Sequence, residues 1–325
     1  MIALPFGVAA LAAILLFPRV IRRLQKAGIV GKDVNKPDKP EVAEMGGLVI
    51  VMAFAVGVCA AIGLSRFAPE AIPGLQREQL LATLASVLII AMIGVFDDLI
   101  HVRKPLKMIA PIAAALPLIA VKAGAPTIKF PHFGLVDFGL WYALVIVPIG
   151  MTGAANAANI LGGFNGLEAG LGFIAVSALA VITYTTGQMT PFVVCTCLAA
   201  ALFVTLFFNW HPAKVFIGDV GTLSIGAVLC CAAVFGNCET AGAIVMIPYG
   251  LDFAVKVKNR LPSLGWWGEI RDGKLHCPAD GPVGLCQLVM KLYGGVSEIR
   301  LVVTLFVLEA ACAGLAVFLY GRFQG

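Results

Sequence analysis

The stretch LLATLASVLIIAMIGVFDD, residues 80–98, decides the fold class. From Leu80 to Phe96 it carries no charged side chain, and about 17 to 25 mainly apolar residues are enough to cross a bilayer as one helix. The run closes on two adjacent carboxylates, Asp97 and Asp98. A carboxylate at the edge of a spanning helix is costly unless it meets water, a cation or a partner. Such residues are therefore functional candidates.

The rest of the chain has the same character. Of its 325 residues 60% are apolar and 13% charged, and its mean hydropathy is +0.96, whereas soluble domains carry roughly a quarter of charged residues. An all-α integral membrane protein follows, a single polytopic domain over residues 1–325. About ten spans are expected, near residues 2–18, 45–65, 79–96, 106–122, 140–154, 166–186, 190–208, 220–236, 240–257 and 300–320.

Lysines and arginines orient these spans. Of the 23, 18 fall after odd-numbered spans, from Arg19 through Arg300. The opposite side holds only Arg66, Arg77, Lys122, Lys129 and Arg322. The positive-inside rule then places the odd loops in the cytoplasm and both termini outside, with residues 257–299 as a large cytoplasmic loop region. The net charge of +5 is thereby a topological signal and gives no reason to invoke nucleic acid. No basic region precedes the first apolar run, so that run reads as a retained span. Cysteines sit mostly in apolar runs without a CxxC pair and read as small hydrophobes. Outside, residues 127–139 alternate around Pro131 and Gly134 like a hairpin lid, with His132 at its surface.

Inside, nearly every loop presents a carboxylate, an amide or a base. Asp97-Asp98 is followed by Arg103, Lys104 and Lys107 at a helix start that Pro105 suits. This segment can hold a divalent cation or a phosphate; a solvated cluster is the competing reading. The next loop runs Asn156-Ala-Ala-Asn159-Ile-Leu-Gly-Gly163-Phe-Asn165-Gly-Leu-Glu168. A spacing of three puts Asn156 and Asn159 on one helix face, and an amide oxygen is a competent hard-cation ligand. A glycine-rich helix break with satisfied amides is the alternative. A third loop leads through Phe216-Ile-Gly218-Asp219 to a helix start, where Asp219 is either a cap or a further acid of the same centre. Three acidic or amide-bearing loops on one face suit Mg²⁺ and a polyphosphate.

Together these motifs, with Lys32-Asp33-Val-Asn35-Lys36 and Glu44-Met-Gly-Gly47, resemble the polyprenyl-phosphate N-acetylhexosamine-1-phosphate transferases. The resemblance is strongest to the UDP-GlcNAc–dolichyl-phosphate branch shared by eukaryotes and archaea. It implies Mg²⁺ ligation by Asn159 and Asp219, with Mn²⁺ admissible in its place. It implies phosphate neutralisation by Lys107, an essential acidic pair at Asp97 and Asp98, and donor binding by Glu44, Asn156, Gly163, Asn165 and Phe216. Gly163 and Asn165 would belong to the uracil loop and Phe216 would pack on the base. The implied reaction moves N-acetylhexosamine-1-phosphate, most simply GlcNAc-1-phosphate, from a UDP-sugar to a polyprenyl or dolichyl phosphate. UMP is released, as the first membrane step of lipid-linked glycan synthesis of the N-glycosylation type. A homodimer is an admissible assembly.

The last cytoplasmic loop departs from the family pattern, which places an Arg/His or His cluster there. In its stead Arg271-Asp-Gly-Lys274-Leu-His276 reads as a tight hairpin presenting Arg271, Lys274 and His276 as replacements. Trp266-Trp267 reads as an interfacial pair. The rival from another class is a cation- or proton-coupled transporter using Asp252, Glu309 and the acidic pair. Yet the acids gather at one face, and no repeated half is visible.

Overall fold

Where no water is present, only a complete intrahelical ladder satisfies every backbone N–H and C=O, so long apolar runs fold as helices. The structure, a computed structural model, describes residues 2–100, 102–130, 134–260 and 265–322. Its first half runs α1 (Leu4–Lys26), β1 (Val30–Lys32), β2 (Glu41–Ala43), α2 (Gly47–Phe67), α3 (Arg77–Ile100), α4 (Lys104–Ile109), α5 (Leu116–Ala120), β3 (Thr127–Phe130) and β4 (Gly134–Asp137). The second half runs α6 (Val147–Ile160), α7 (Leu167–Thr185), α8 (Met189–Asn209), α9 (Gly218–Phe235), α10 (Glu239–Val245), α11 (Ile247–Lys258), β5 (Glu269–Arg271), β6 (Lys274–His276), α12 (Leu285–Tyr293) and α13 (Glu298–Arg322).

Among the described residues eight helices are long and apolar enough to cross a membrane, or nine if α10 and α11 form one span bent by 61°. Pro248 stands in the first turn of α11. It lacks the N–H that would continue the ladder across the bend. The fourth expected span, 106–122, takes a different form: α4, a 3-10 stretch Ala110–Ala115 and α5 in succession. Pro105, Pro111 and Pro117 recur every sixth residue. Each removes one ladder bond, so this segment is shorter and less regular than the others.

The centre of the bundle is α9, 89% of whose apolar window is buried. Small residues let its neighbours approach to backbone contact, the usual basis of helix association in lipid. A Cβ on Gly94 of α3 would lie 2.4 Å from the Val220 backbone, and one on Gly226 would lie 2.2 Å from the Ala154 carbonyl oxygen of α6. The first contact holds the end of α3 against the start of α9, and the second seats the middle of α6 on the middle of α9.

Among the described residues three two-stranded ribbons join the helices. The expected outer hairpin is present, pairing Thr127 with Asp137 and Phe130 with Gly134; His132 lies outside the described residues. The hairpin expected at Asp272-Gly273 is also present, with Arg271 opposite Lys274. Both turn residues have positive φ, 49° and 71°, as a two-residue turn matched to strand twist requires. The β1–β2 ribbon, by contrast, has no counterpart in the sequence reading.

Candidate active site

The loops after α1, α3, α6, α8 and α11 meet around one cavity of about 840 Å³. That volume lies in the range of about 300 to 1,000 Å³ typical of small-molecule sites. These are the loops that charge distribution groups on a single side. Of the residues singled out in the sequence, Glu44, Lys107, Asn156, Asn159, Gly163, Phe216 and Asp219 line the cavity.

Asp219 stands in the first turn of α9, whose own cap residue, Ile217, has no capping side chain. Asp98 supplies the cap from the end of α3. Its Oδ1 accepts the Asp219 N–H at 2.9 Å and its Oδ2 the Val220 N–H at 3.2 Å. A carboxylate is favoured there by the helix dipole as well as by the unpaired N–H groups. Asp97 accepts the Val102 N–H at 2.9 Å and pairs with Lys107, which also pairs with Asp219. On the other side, the Asn159 amide donates to Asp219 Oδ1 at 2.6 Å and to Thr222 Oγ1 at 2.8 Å. Neither Asp97 nor Asp98 is among the residues lining the cavity. The acidic pair, read from sequence as catalytic, stands directly against that lining: Asp98 bonds the backbone of Asp219 and Asp97 pairs with Lys107.

This centre places three carboxylates around one ammonium, and that excess of negative charge suits a divalent cation. Asp219 offers a hard oxygen, and half a turn of the Asn159 amide presents its Oδ1 in place of the NH₂. Among the described residues no three His, Cys, Asp or Glu side chains gather closely enough to hold a metal alone. A cation here would take its remaining oxygens from phosphate and water, as Mg²⁺ commonly does.

A second knot fixes Gly163. Its N–H donates to Glu168 Oε1 at 2.6 Å and its carbonyl accepts the Asn35 amide at 2.8 Å. Its φ of +93° suits glycine, and a Cβ there would meet the Trp266 ring at 1.9 Å. Asn165, expected to read the base, is instead 2% exposed. Its Nδ2 donates to Asp33 at 3.0 Å, its Oδ1 accepts the Ala213 N–H at 2.8 Å, and its N–H donates to Glu298 at 2.8 Å. Glu298 also pairs with Lys36 and contacts His211 at 3.2 Å. The Asn165 side chain thus ties loops together beneath the cavity.

Arg271, Lys274 and His276 do not line it either. Arg271 pairs with Glu269 on an exposed edge, Lys274 is exposed, and the His276 ring packs beside Gly295. The loop reaches the cavity through Trp266 and Trp267, with Lys256 of α11 below them. Sequence reasoning placed the tryptophans at the membrane interface and counted Lys256 as one more inside charge. Only their fold neighbours distinguish them. Asp252, weighed as an ion-relay acid, pairs with Lys256 at 2.7 Å and accepts the Leu285 N–H at 2.7 Å, which caps α12.

Comparison with known proteins places the chain in a family. Residues 80–237 match glycosyl transferase family 4. A Saccharolobus solfataricus protein named as a candidate UDP-N-acetylglucosamine–dolichyl-phosphate N-acetylglucosaminephosphotransferase is 36% identical over 92% of this chain and 91% of its own length. The Dictyostelium discoideum enzyme of that name is 25% identical over 95% of this chain and 85% of its own. A phospho-N-acetylmuramoyl-pentapeptide-transferase of Shouchella clausii is 30% identical over 74% and 76%. None of these relatives is named as a transporter.

Proposed function

Since the chain belongs to glycosyl transferase family 4, the membrane sugar-phosphate transferases, we propose that it moves GlcNAc-1-phosphate from UDP-GlcNAc to a polyprenyl or dolichyl phosphate. The observation that carries this reading is the convergence of Lys107, Asn159 and Asp219 in one cavity with Phe216 and the Gly163 loop. It joins a phosphate-neutralising centre to an aromatic surface and exposed backbone suited to a nucleotide base. The active face is then cytoplasmic, because its loops hold most of the chain's lysines and arginines.

An oxygen of the lipid phosphate attacks the donor's β-phosphorus. The new P–O bond forms as the bond from that phosphorus to the bridging oxygen breaks, and UMP leaves with the electron pair. Such a transfer gathers several negative charges, so positioning and charge neutralisation supply most of the catalysis. Lys107 provides one positive charge, held between Asp97 and Asp219. Asn159 and Asp219 would hold Mg²⁺, which when bound neutralises phosphate oxygens. The nucleophile needs no protein base, because a phosphate ester with a second pKa of about 6 is largely ionised near neutrality. The commitment of Asp97 and Asp98 to Lys107 and to the start of α9 supports that assignment.

The test is purified protein with UDP-GlcNAc, a polyprenyl phosphate and Mg²⁺, assayed for UMP and for the lipid-linked sugar. Both products are expected. No UMP from any UDP-N-acetylhexosamine overturns the reading.

A further inference from the structure

The donor proposed above carries a nucleoside at one end of its diphosphate and a pyranose at the other, and the cavity has two aromatic stations. Phe216 lies on the loop before α9, beside Gly31 and Glu44. The second station, Trp266 with Trp267, hangs from the segment between α11 and α12. Both indoles line the cavity and both are only half-buried.

The second station is built rigidly. Gln287 of α12, 1% exposed, donates from Nε2 to the Gly265 carbonyl at 2.6 Å and to the Trp267 carbonyl at 2.8 Å. Its Oε1 accepts the Val283 N–H at 2.8 Å. Both N–H groups of the buried amide are used, and the backbone on either side of Trp266 is pinned. Trp266 is wedged against Gly163 and edge-on to Phe164, with centroids 6.4 Å apart at 78°. Trp267 meets Trp266 at 5.3 Å and 76°. Trp266 is therefore the support, and Trp267 is the ring left for a ligand.

Resting on the transferase reading, we propose that Trp267 is the platform for the donor's pyranose ring. A pyranose has an apolar C–H face and a rim of polar groups. An indole face bordered by polar side chains complements both. Polar side chains share the cavity with it: Asn156 and Lys256 line it too, and Lys256 is held by Asp252 at 2.7 Å. The basic hairpin residues Arg271, Lys274 and His276, which lie off the cavity, take no part in sugar binding.

The experiment measures binding of UMP and of UDP-GlcNAc to the whole detergent-solubilised protein, as wild type, Trp267→Ala and Trp267→Phe. The alanine variant is expected to lose about tenfold in UDP-GlcNAc affinity, the scale of one apolar contact, while UMP affinity stays within about twofold, which also reports an intact fold. Phenylalanine, which keeps a flat ring, is expected to recover most of the loss. An equal loss for UMP, or no loss for either ligand, overturns the proposal. Wild-type protein that binds neither ligand and releases no UMP instead overturns the transferase reading itself.

Discussion

Replacing Asp98 by asparagine separates two roles that an acid at this position could have. In the structure its oxygens accept the backbone N–H groups of Asp219 and Val220 at 2.9 and 3.2 Å. An asparagine keeps one acceptor and turns an NH₂ group toward the other N–H, so one charge-assisted bond is lost. Such a bond is worth about 1.5–3 kcal/mol. At 1.4 kcal/mol per factor of ten, a defect of about 10- to 150-fold is expected if the whole cost falls on the placement of Asp219. The loss should appear as a lower rate and a higher Mg²⁺ concentration for half-maximal rate. The shape of the pH profile should not change, because Asp98 transfers no proton. The assay is UMP release against Mg²⁺ at several pH values from 6 to 8. A variant that is fully active at pH 8 and fails only on the acid side would refute the reasoning and restore Asp98 as a base.

Three further outcomes follow from the same geometry. Lys107→Gln leaves Asp97 and Asp219 without their shared cation and should cost about 10²-fold or more in kcat, the scale of removing one preorganised charge-stabilising group; near-normal turnover would remove Lys107 from the centre. Gly163→Ala must adopt a φ of +93° with its Cβ driven into Trp266, so UMP and UDP-GlcNAc titrations should both weaken by about tenfold or more, at about 1–2 kcal/mol of backbone strain before the indole moves. Arg271→Ala removes a surface pair with Glu269, worth about 0–1 kcal/mol; KM for UDP-GlcNAc should change by less than about twofold, and a large rise would return the hairpin to the site.

Much of this was legible in the sequence. Hydropathy alone marks the spans, because in lipid a long uncharged run has few alternatives to a helix. The Asp272-Gly273 turn was legible for a local reason too, since few residue pairs tolerate two positive φ angles. The Asn156/Asn159 spacing likewise announced a shared helix face, and both residues line the cavity.

What the linear chain determined, then, was the membrane class, the approximate spans, the side on which chemistry gathers and the residue types able to hold phosphate. Tertiary structure alone decided which of those residues line the cavity. Asp98 reads as one of an essential acidic pair, and the close approach of α3 and α9 at Gly94 shows it capping the helix that carries Asp219. Asn165 reads as a ligand until Asp33, Ala213 and Glu298, each far from it in the chain, consume its hydrogen bonds. Trp267 reads as an interfacial anchor until Gln287 fixes the loop that carries it to the cavity. Hydropathy and turn chemistry act over a few neighbouring residues, whereas the facing of a side chain is settled by partners that only helix packing brings near.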